Sequence, residues 1–229
     1  MSKRLIGFST AAATMALALV APAAQATTIF TLVTNNGGFG NPPGPYGTAT
    51  LHLVSSTEAT ITLVSNQVGS NVYLFADGGT LGFNTNGAVT IQSITGSNNR
   101  TDSGFGAFTP GPYTAAGAGN EDGFGSFNQT IDTFDGYQHS NTSLTVDFTL
   151  NSGSWANEAS VLTPNGLGNT VAGHVFLAVD NGNGTISNTG STGFATDGTP
   201  VRVPEPGSLL LLGSGLGGLA ALNLKRRRR

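Results

Sequence analysis

The stretch Ser143-Leu144-Thr145-Val146-Asp147-Phe148-Thr149-Leu150 decides the fold class. Apolar and polar residues alternate strictly through it, and successive side chains of a β-strand point to opposite faces of a sheet. The four apolar residues therefore share one face, and the four polar residues share the other. The pattern predicts a strand that packs one face on a core and keeps the other in water.

Six further runs are rich in β-branched and aromatic residues, which favour strands. They are Thr28–Val33, Ala49–Val54, Ala59–Val64, Asn71–Ala76, Ala88–Ile94 and Ala172–Val179. Turn dipeptides such as Asn86-Gly87 separate them, and hardly any segment has the apolar period of a helix. We predict an all-β fold, a β-sandwich of jelly-roll or immunoglobulin-like type. The run that begins at Ala172 has apolar residues on both faces, which predicts a strand covered on both sides.

The N-terminus has the pattern of a secretory signal peptide. Lys3-Arg4 precedes a mostly apolar run over residues 5–20, and Ala24-Gln25-Ala26 matches the small-residue site that signal peptidase cleaves. The sequence therefore predicts a cleaved signal peptide over residues 1–26, with Ala24 and Ala26 at the cleavage site and a mature chain that begins at Thr27.

The C-terminus has three parts in a fixed order. Val203-Pro204-Glu205-Pro206 is followed by an apolar run of 18 residues over 207–224 and then by Lys225-Arg226-Arg227-Arg228-Arg229. Eighteen helical residues span roughly 27 Å, about the hydrocarbon thickness of a bilayer, which predicts a transmembrane helix. Clustered cations beside a span stay in the cytoplasm, so the five basic residues determine the topology, with the body outside. The prolines keep the preceding motif extended.

This tail resembles the PEP-CTERM sorting domain of Gram-negative bacteria, through Pro204-Glu205-Pro206, the Gly/Leu-rich span and the terminal arginines. The resemblance covers only residues 203–229. It implies that Pro204, Glu205 and Pro206 are recognised by an exosortase, a membrane-embedded cysteine transpeptidase that cuts near the motif and passes the protein to the cell surface or extracellular polymer. The same domain is also labelled the C-terminal domain of ice-binding proteins, a label that concerns the tail and not the body.

Between these ends, residues 27–202 form the predicted exported domain. They contain two basic residues, Arg100 and Arg202, and eleven acidic ones, so their net charge is −9. Such a surface repels nucleic acids and anionic lipid headgroups, and no nucleic-acid partner is predicted. The chain has no cysteine, so the stability of this single domain must come from burial.

The sequence offers no evident catalytic centre. No known nucleophile, zinc or phosphate-binding motif is present, and the three histidines are His52, His139 and His174. A glycosidase needs two carboxylates at a set separation, for which Asp132, Asp135 and Asp147 are available. We predict that the protein is not an enzyme, with hydrolysis as a remote alternative.

Calcium is the metal ion that the loops favour. Oxygen ligands occur in Gly-rich segments at Glu121-Asp122, at Asp132 and Asp135, and at Asp180-Asn181-Gly182-Asn183-Gly184. The last segment places Gly182 where an EF-hand needs an oxygen ligand, and turn chemistry explains these residues equally well. No cofactor is therefore predicted, with calcium as the alternative.

A Gly/aromatic pattern recurs unevenly in the body. Gly38-Phe39-Gly40 precedes Pro43-Gly44-Pro45-Tyr46, Gly104-Phe105-Gly106 precedes Pro110-Gly111-Pro112-Tyr113, and Gly123-Phe124-Gly125 repeats the first half. The spacing is not that of a solenoid. The pattern predicts irregular loops pinned by aromatic side chains. The alternative is that Phe39, Tyr46, Phe105, Tyr113 and Phe124 form a surface that stacks on sugar rings.

The leading hypothesis is an exported, noncatalytic surface or matrix protein with a structural or adhesive role. Its predicted partners are signal peptidase, an exosortase, the inner membrane during transit and exopolysaccharide, and its destination is the cell surface or extracellular matrix. The alternative is a carbohydrate- or surface-binding module. Ice binding is disfavoured, because ice-binding faces carry regular threonine arrays and Thr60-Ile61-Thr62 is not repeated in register.

Overall fold

A computed structural model describes residues 27–197 and the backbone of residues 201–203. This part of the chain contains strands and two short 3-10 helices, η1 (Tyr137–His139) and η2 (Glu158–Ser160). The strands are β1 (Thr27–Asn35), β2 (Gly47–Leu53), β3 (Glu58–Ser65), β4 (Gln67–Val68), β5 (Asn71–Phe75), β6 (Leu81–Phe83), β7 (Val89–Ser97), β8 (Thr101–Asp102), β9 (Gly106–Ala107), β10 (Tyr113–Glu121), β11 (Gly125–Thr133), β12 (Ser143–Leu150), β13 (Val171–Asp180), β14 (Ile186–Asp197) and β15 (Val201–Val203).

The predicted all-β class is confirmed. Each of the seven predicted runs coincides with a strand, and β12 spans the same residues as the run that decided the fold class. The predicted signal peptide and transmembrane helix lie outside the described residues. Within the described part, no helix has the length and apolar character needed to cross a membrane.

The strands form one continuous sheet in place of the two stacked sheets of a jelly-roll or immunoglobulin-like sandwich. Its order is β10-β11-β6-β13-β14-β1-β2-β3-β12-β7, with β5 on β13 and β15 on β1. The sheet does not break in the middle, because β1 pairs with β2 over Thr27–Leu32 and with β14 from Leu32 onward. The two halves on either side of β1 fold over and face each other.

One core fills the space between the two halves. Phe83 of β6 and Phe148 of β12 come from opposite halves, and their ring centroids lie 5.4 Å apart. Trp155 closes the cluster, with its ring 5.9 Å from that of Phe148. The four apolar residues of β12 are all buried here, as their alternation predicts. Each such side chain contributes about 1.5–3 kcal/mol of stability through burial.

Strand β13 is covered on both faces, as its sequence predicts. Val171 and Val175 point into the central core. Phe176 and Ala178 point outward and join a second cluster with Phe108 and Tyr137. A third cluster forms around Ala172, where Phe124 and Phe127 of the β10–β11 hairpin pack on the outside of the sheet. We call the outer surface of β5, β6, β13 and β14, with these two clusters, the covered face.

Candidate functional site

The two ends of the exported domain lie side by side. β15 pairs antiparallel with β1, so that Val203 is opposite Thr27 and Arg202 is opposite Thr28. The predicted mature start and the residue that precedes the Pro-Glu-Pro motif are therefore neighbours in one ladder. The residues predicted to be recognised or cleaved lie outside the described part of the chain. They are Ala24, Ala26, Pro204, Glu205, Pro206, Lys225, Arg226, Arg227, Arg228 and Arg229.

The three histidines lie on three different elements: His52 on β2, His139 on η1 and His174 on β13. His139 Nδ1 lies 2.7 Å from the carbonyl oxygen of Thr109. His174 is held at both nitrogens, because Nδ1 lies 3.2 Å from the carbonyl oxygen of Gly78 and Nε2 lies 2.7 Å from Thr192 Oγ1. Burial lowers the pKa of His174, so its ring is neutral at pH 7. These contacts hold the rings of His139 and His174 in place.

The Asp180 loop uses its oxygens to make a turn. Asp180 Oδ1 accepts a 2.9 Å hydrogen bond from the Gly182 amide, and Oδ2 accepts one of 2.9 Å from Gln67. These two bonds, the Gly182 amide first, lower the pKa of Asp180. Arg100 lies 3.9 Å from Oδ2. Among the described residues, no group of three or more His, Cys, Asp and Glu side chains is arranged to hold a metal ion.

Two of the three carboxylates considered for hydrolysis line one pocket, and the third lies elsewhere. Asp132 and Asp135 line a pocket of about 250 Å³ together with Pro112 and Phe134. Asp147 lies on β12, where it accepts hydrogen bonds of 2.7 and 2.6 Å from the hydroxyls of Thr60 and Ser93. Its oxygens therefore hold neighbouring strands together.

Glu121, predicted from the sequence only as an alternative calcium ligand, is a buried acid. It is 1 % exposed and sits against Gly79 and Gly82, where a side chain on either glycine would collide with it. Burial, and secondly the charge of Asp132, raise the pKa of Glu121 to about 8. The carboxyl is therefore protonated at neutral pH. Because it is closed to solvent and fills the space beside two glycines, this acid contributes to the packing of the covered face.

The alternative of an aromatic, sugar-stacking surface is not what the structure forms. Phe39, Tyr46 and Phe124 are buried, and Tyr113 is half-buried with its hydroxyl donating to Asn141. Only Phe105 of the five is strongly exposed, at 69 %. The loops are pinned by aromatic side chains, as the first interpretation of the pattern expects: the rings of Phe39 and Tyr46 lie 5.2 Å apart in a T-shaped contact.

Hydroxyl side chains form rows across the outer surface of β1, β2, β3, β12 and β7, which we call the hydroxyl face. Cross-strand pairing places residues from all five strands side by side. Neighbours in a row are separated by the strand spacing of about 4.8 Å, and successive rows by about 6.6 Å along each strand. The three rows are Thr31-Thr48-Val64-Ser143-Ser97, Ile29-Thr50-Thr62-Thr145-Thr95 and Thr27-His52-Thr60-Asp147-Ser93.

These hydroxyls are half-buried or exposed, and some make hydrogen bonds across the strands, to a second hydroxyl or to Asp147. The Oγ1 atoms of Thr62 and Thr145 lie 3.0 Å apart. A hydroxyl has one donor and two acceptor positions, so a lateral bond leaves capacity to bind a molecule in front of the face. Among the described residues, the three rows contain one charged side chain, that of Asp147, and no lysine or arginine.

Sequence patterns alone do not reveal this face, because a regular threonine array can arise from the register between strands as well as from a repeat along the chain. Thr60-Ile61-Thr62 is indeed not repeated along the chain. The structure nevertheless places Thr62 in register with Thr50 on one side and Thr145 on the other. The alternation within each run was the available signal, but register between runs was not.

The comparisons with known proteins bear on the tail. A family model of the PEP-CTERM protein-sorting motif matches residues 202–229. The resemblance of the tail to this sorting domain is thereby confirmed, and it indicates an exported protein that an exosortase sorts at the membrane to the cell surface. Neither the curated proteins nor the solved structures give a match to the chain.

Proposed function

We propose that this chain, which carries a PEP-CTERM sorting motif, is a noncatalytic surface or matrix protein whose hydroxyl face binds neutral polysaccharide outside the cell. The observation that carries the proposal is the set of in-register hydroxyl rows across β1, β2, β3, β12 and β7. The sorting tail supports an extracellular setting, in which such polymers are available partners.

The chemistry of the rows suits a polyhydroxylated chain. Each threonine presents a hydroxyl that both donates and accepts, as sugar hydroxyls do, and a methyl group that contacts the apolar C–H groups of a sugar ring. The lateral bonds hold the side chains in place: Thr60 and Ser93 both donate to Asp147, and Thr62 bonds Thr145. Less side-chain entropy is then lost on binding.

The charge of the body favours a neutral polymer over an anionic one. Residues 27–202 have a net charge of −9, and Arg100 and Arg202 are their only basic residues. An anionic polysaccharide would approach this surface against a repulsive field, whereas a neutral one would not.

The binding test uses the detergent-solubilised full chain and insoluble polymers. We expect retention on cellulose or cross-linked amylose and not on anionic alginate beads. Thr62→Val/Thr145→Val removes two hydroxyls from the central row while keeping β-branched side chains, and we expect at least a tenfold loss of binding. Thr101→Val/Thr114→Val is the matched control, because both threonines are exposed on β8 and β10, outside the face. Equal binding by the two double variants would refute the role of the face.

The sorting step has its own test in the native host. We expect intact mass and cell fractionation to show that the wild-type chain loses the residues after the motif. A Pro204→Ala/Glu205→Ala/Pro206→Ala chain should keep them and remain in the inner membrane. A full-length tail in both proteins would instead make it a permanent single-span anchor.

Ice is a second candidate, favoured by the row that contains Thr50, Thr62, Thr145 and Thr95. We rank it below polysaccharide because Ile29, Val64, His52 and Asp147 interrupt the repeat that a crystal lattice would need. Inhibition of ice recrystallisation by the full chain, lost in Thr62→Val/Thr145→Val, would reverse this ranking.

A further inference from the structure

The chain contains five Asn-Gly dipeptides, which begin at Asn36, Asn86, Asn165, Asn181 and Asn183. In such a dipeptide the glycine nitrogen can attack the side-chain carbonyl carbon of the asparagine, because glycine has no side chain to hinder the approach. The new N–Cγ bond closes a succinimide ring as the Cγ–Nδ2 bond breaks, and Nδ2 leaves as ammonia with the proton of the glycine amide. Water then opens the ring to aspartate or to isoaspartate, in which the main chain runs through Cγ.

In two of these dipeptides the attacking nitrogen is already engaged. The Gly37 amide donates a 2.6 Å hydrogen bond to Asn35 Oδ1, and the Gly182 amide donates one of 2.9 Å to Asp180 Oδ1. Both bonds close a turn and would have to break before the amide nitrogen could attack. The reaction at Asn36 and at Asn181 is therefore opposed by the fold.

In two others the asparagine side chain is held by its oxygen. Asn165 Oδ1 accepts hydrogen bonds of 2.9 and 3.1 Å from the amides of Leu167 and Asn169. Asn183 Oδ1 accepts bonds of 3.1 and 2.7 Å from the amide and the hydroxyl of Thr185. Rotation of either carboxamide toward the next glycine would break these bonds, which adds to the barrier.

Asn86 is the least restrained of the five. It lies with Gly87 in the loop between β6 and β7, and both residues are exposed to the water that the second step consumes. Within residues 27–197, no hydrogen bond engages the Gly87 amide or Asn86 Oδ1, and the side chain makes one bond, from Nδ2 to the carbonyl oxygen of Ser160 at 3.1 Å. That bond holds the group that leaves and does not occupy the attacking nitrogen.

We propose that Asn86 is a site of spontaneous deamidation, at which the exported domain ages into an aspartate and isoaspartate form. The site is distinct from the hydroxyl face, and its reaction needs only water.

The modification would act on the segment that closes the core. The Asn86 amide donates to the carbonyl oxygen of Val161 at 2.8 Å, and Trp155 Nε1 donates to the Asn86 carbonyl oxygen at 3.0 Å. Trp155 is 3 % exposed and packs on Phe148 in the core. In isoaspartate this carbonyl leaves the main chain as a free carboxylate, and the main chain gains one carbon. The bond from Nδ2 to Ser160 is lost in both products, so the cover over the core is loosened.

The test follows each dipeptide by peptide mapping with mass spectrometry while the solubilised full chain is incubated in mildly alkaline buffer. In the folded chain we expect Asn86 to deamidate at least tenfold faster than Asn36 and Asn181. In the urea-unfolded chain the three rates should be similar, because the reacting dipeptide is the same. A rate at Asn86 no higher than at Asn36 and Asn181 in the folded chain would overturn the proposal. An equally large excess in the unfolded chain would overturn it too, because the structure would then not select the site.

Variants test the effect on the cover of the core. Asn86→Asp places an acceptor beside the carbonyl oxygen of Ser160 and should lower the urea midpoint of unfolding. Asn183→Asp is the matched control, because its oxygen can still accept from Thr185, and the midpoint should stay unchanged. On incubation, the midpoint of the wild type should fall with time. That of Asn86→Gln should stay constant, because the longer side chain would have to close a six-membered ring. Equal falls in the wild type and in Asn86→Gln would refute the loosening.

Discussion

The hydroxyl face and the covered face are two outer surfaces of one sheet, yet the first is open to solvent and the second is buried. On the hydroxyl face, side chains such as Thr62 and Thr145 are half-buried, and Thr95 is exposed. On the covered face, Phe176 is 8 % exposed, and Phe127 of the β10–β11 hairpin, which packs on this face, is 1 % exposed. Both halves of the sheet send their inward residues into the same core.

The difference shows that outward residues, and not the core pattern, decide which side of a sheet is covered. Ala172, Phe176 and Ala178 of β13 are apolar, so covering them is favourable by about 25 cal/mol per Å². The outward residues of β12 are polar and gain nothing from cover. The end of β10 approaches the sheet closely, because Gly79 and Gly82 have no side chains at the place where Glu121 packs.

The largest expected difference between the faces comes from truncating an aromatic side chain. Phe127→Ala removes a fully buried ring from the covered face and should lower the free energy of unfolding by about 3–5 kcal/mol. Phe105→Ala removes a ring that is 69 % exposed and should change it by less than about 0.5 kcal/mol. Urea unfolding of the full chain measures both. Equal effects would show that the hairpin does not cover the sheet in solution.

The close approach of Glu121 can be isolated with a pair of glycines. Gly79 and Gly69 both have positive φ, +68° and +60°, but a Cβ at Gly79 would lie 2.2 Å from Glu121 Oε2, whereas a Cβ at Gly69 has nothing within 4 Å. Gly69→Ala should cost about 1 kcal/mol from backbone strain. Gly79→Ala should cost roughly 2 kcal/mol more, because overpacking is added. Equal losses of unfolding free energy in urea would show that the close packing of Glu121 on Gly79 does not contribute to stability.

The covered face should also make stability depend on pH. The folded pKa of Glu121 is raised from 4.5 to about 8, so the native state holds a proton that the unfolded chain releases. The wild-type free energy of unfolding should therefore fall as pH rises from 4.5 to 8, by an amount on the order of 4 kcal/mol. Glu121→Gln should lack this decline.

His174 provides a background of opposite sign in the same measurement. Burial lowers its folded pKa, so its contribution to stability is lost as pH falls below 6.5, the ordinary value. The wild type and Glu121→Gln share this contribution of His174. The difference between their free energies of unfolding at each pH therefore reports the contribution of Glu121 alone. A pH-independent difference would contradict the raised pKa.

The smallest expected effect is on the stability of the hydroxyl face. Thr62 and Thr145 form a cross-strand pair, and such pairs contribute about 0.2–1 kcal/mol. A double-mutant cycle with Thr62→Val and Thr145→Val should therefore show a coupling energy below about 1 kcal/mol. A coupling of several kcal/mol would mean that the row mainly stabilises the sheet. Polymer binding would then be measured on each single variant, Thr62→Val and Thr145→Val, after its folding had been verified.

Strands with strong alternation were predictable, and Gly- and Asn-rich strands were not. β12 matches its predicted run residue for residue, because its apolar side chains face a core and its polar ones face water. β10, with the sequence Tyr-Thr-Ala-Ala-Gly-Ala-Gly-Asn-Glu, is a strand whose pattern is interrupted by bulges near Gly117. Its pairing with β11 maintains it where local propensity does not.

The candidate sites were less predictable than the fold class. The tail was identified because its motif, span and basic cluster are contiguous. The histidines and carboxylates selected by residue type proved to be held in turns and ladders, as Asp147 and Asp180 show. The burial of Glu121 carried no signal in the sequence, since it depends on how the end of β10 packs against Gly79 and Gly82.

By itself, the sequence determined the all-β class, the cation-poor body and the sorting address, because a period of two, a charge balance and a contiguous motif are local properties. Only the tertiary structure decided which strands are neighbours. Thr62 and Thr145 are 83 positions apart and yet share a hydrogen bond, and Glu121 packs against Gly79 and Gly82 of a distant segment. The physical reason is that strand register and loop packing are properties of the whole sheet, which no single segment contains.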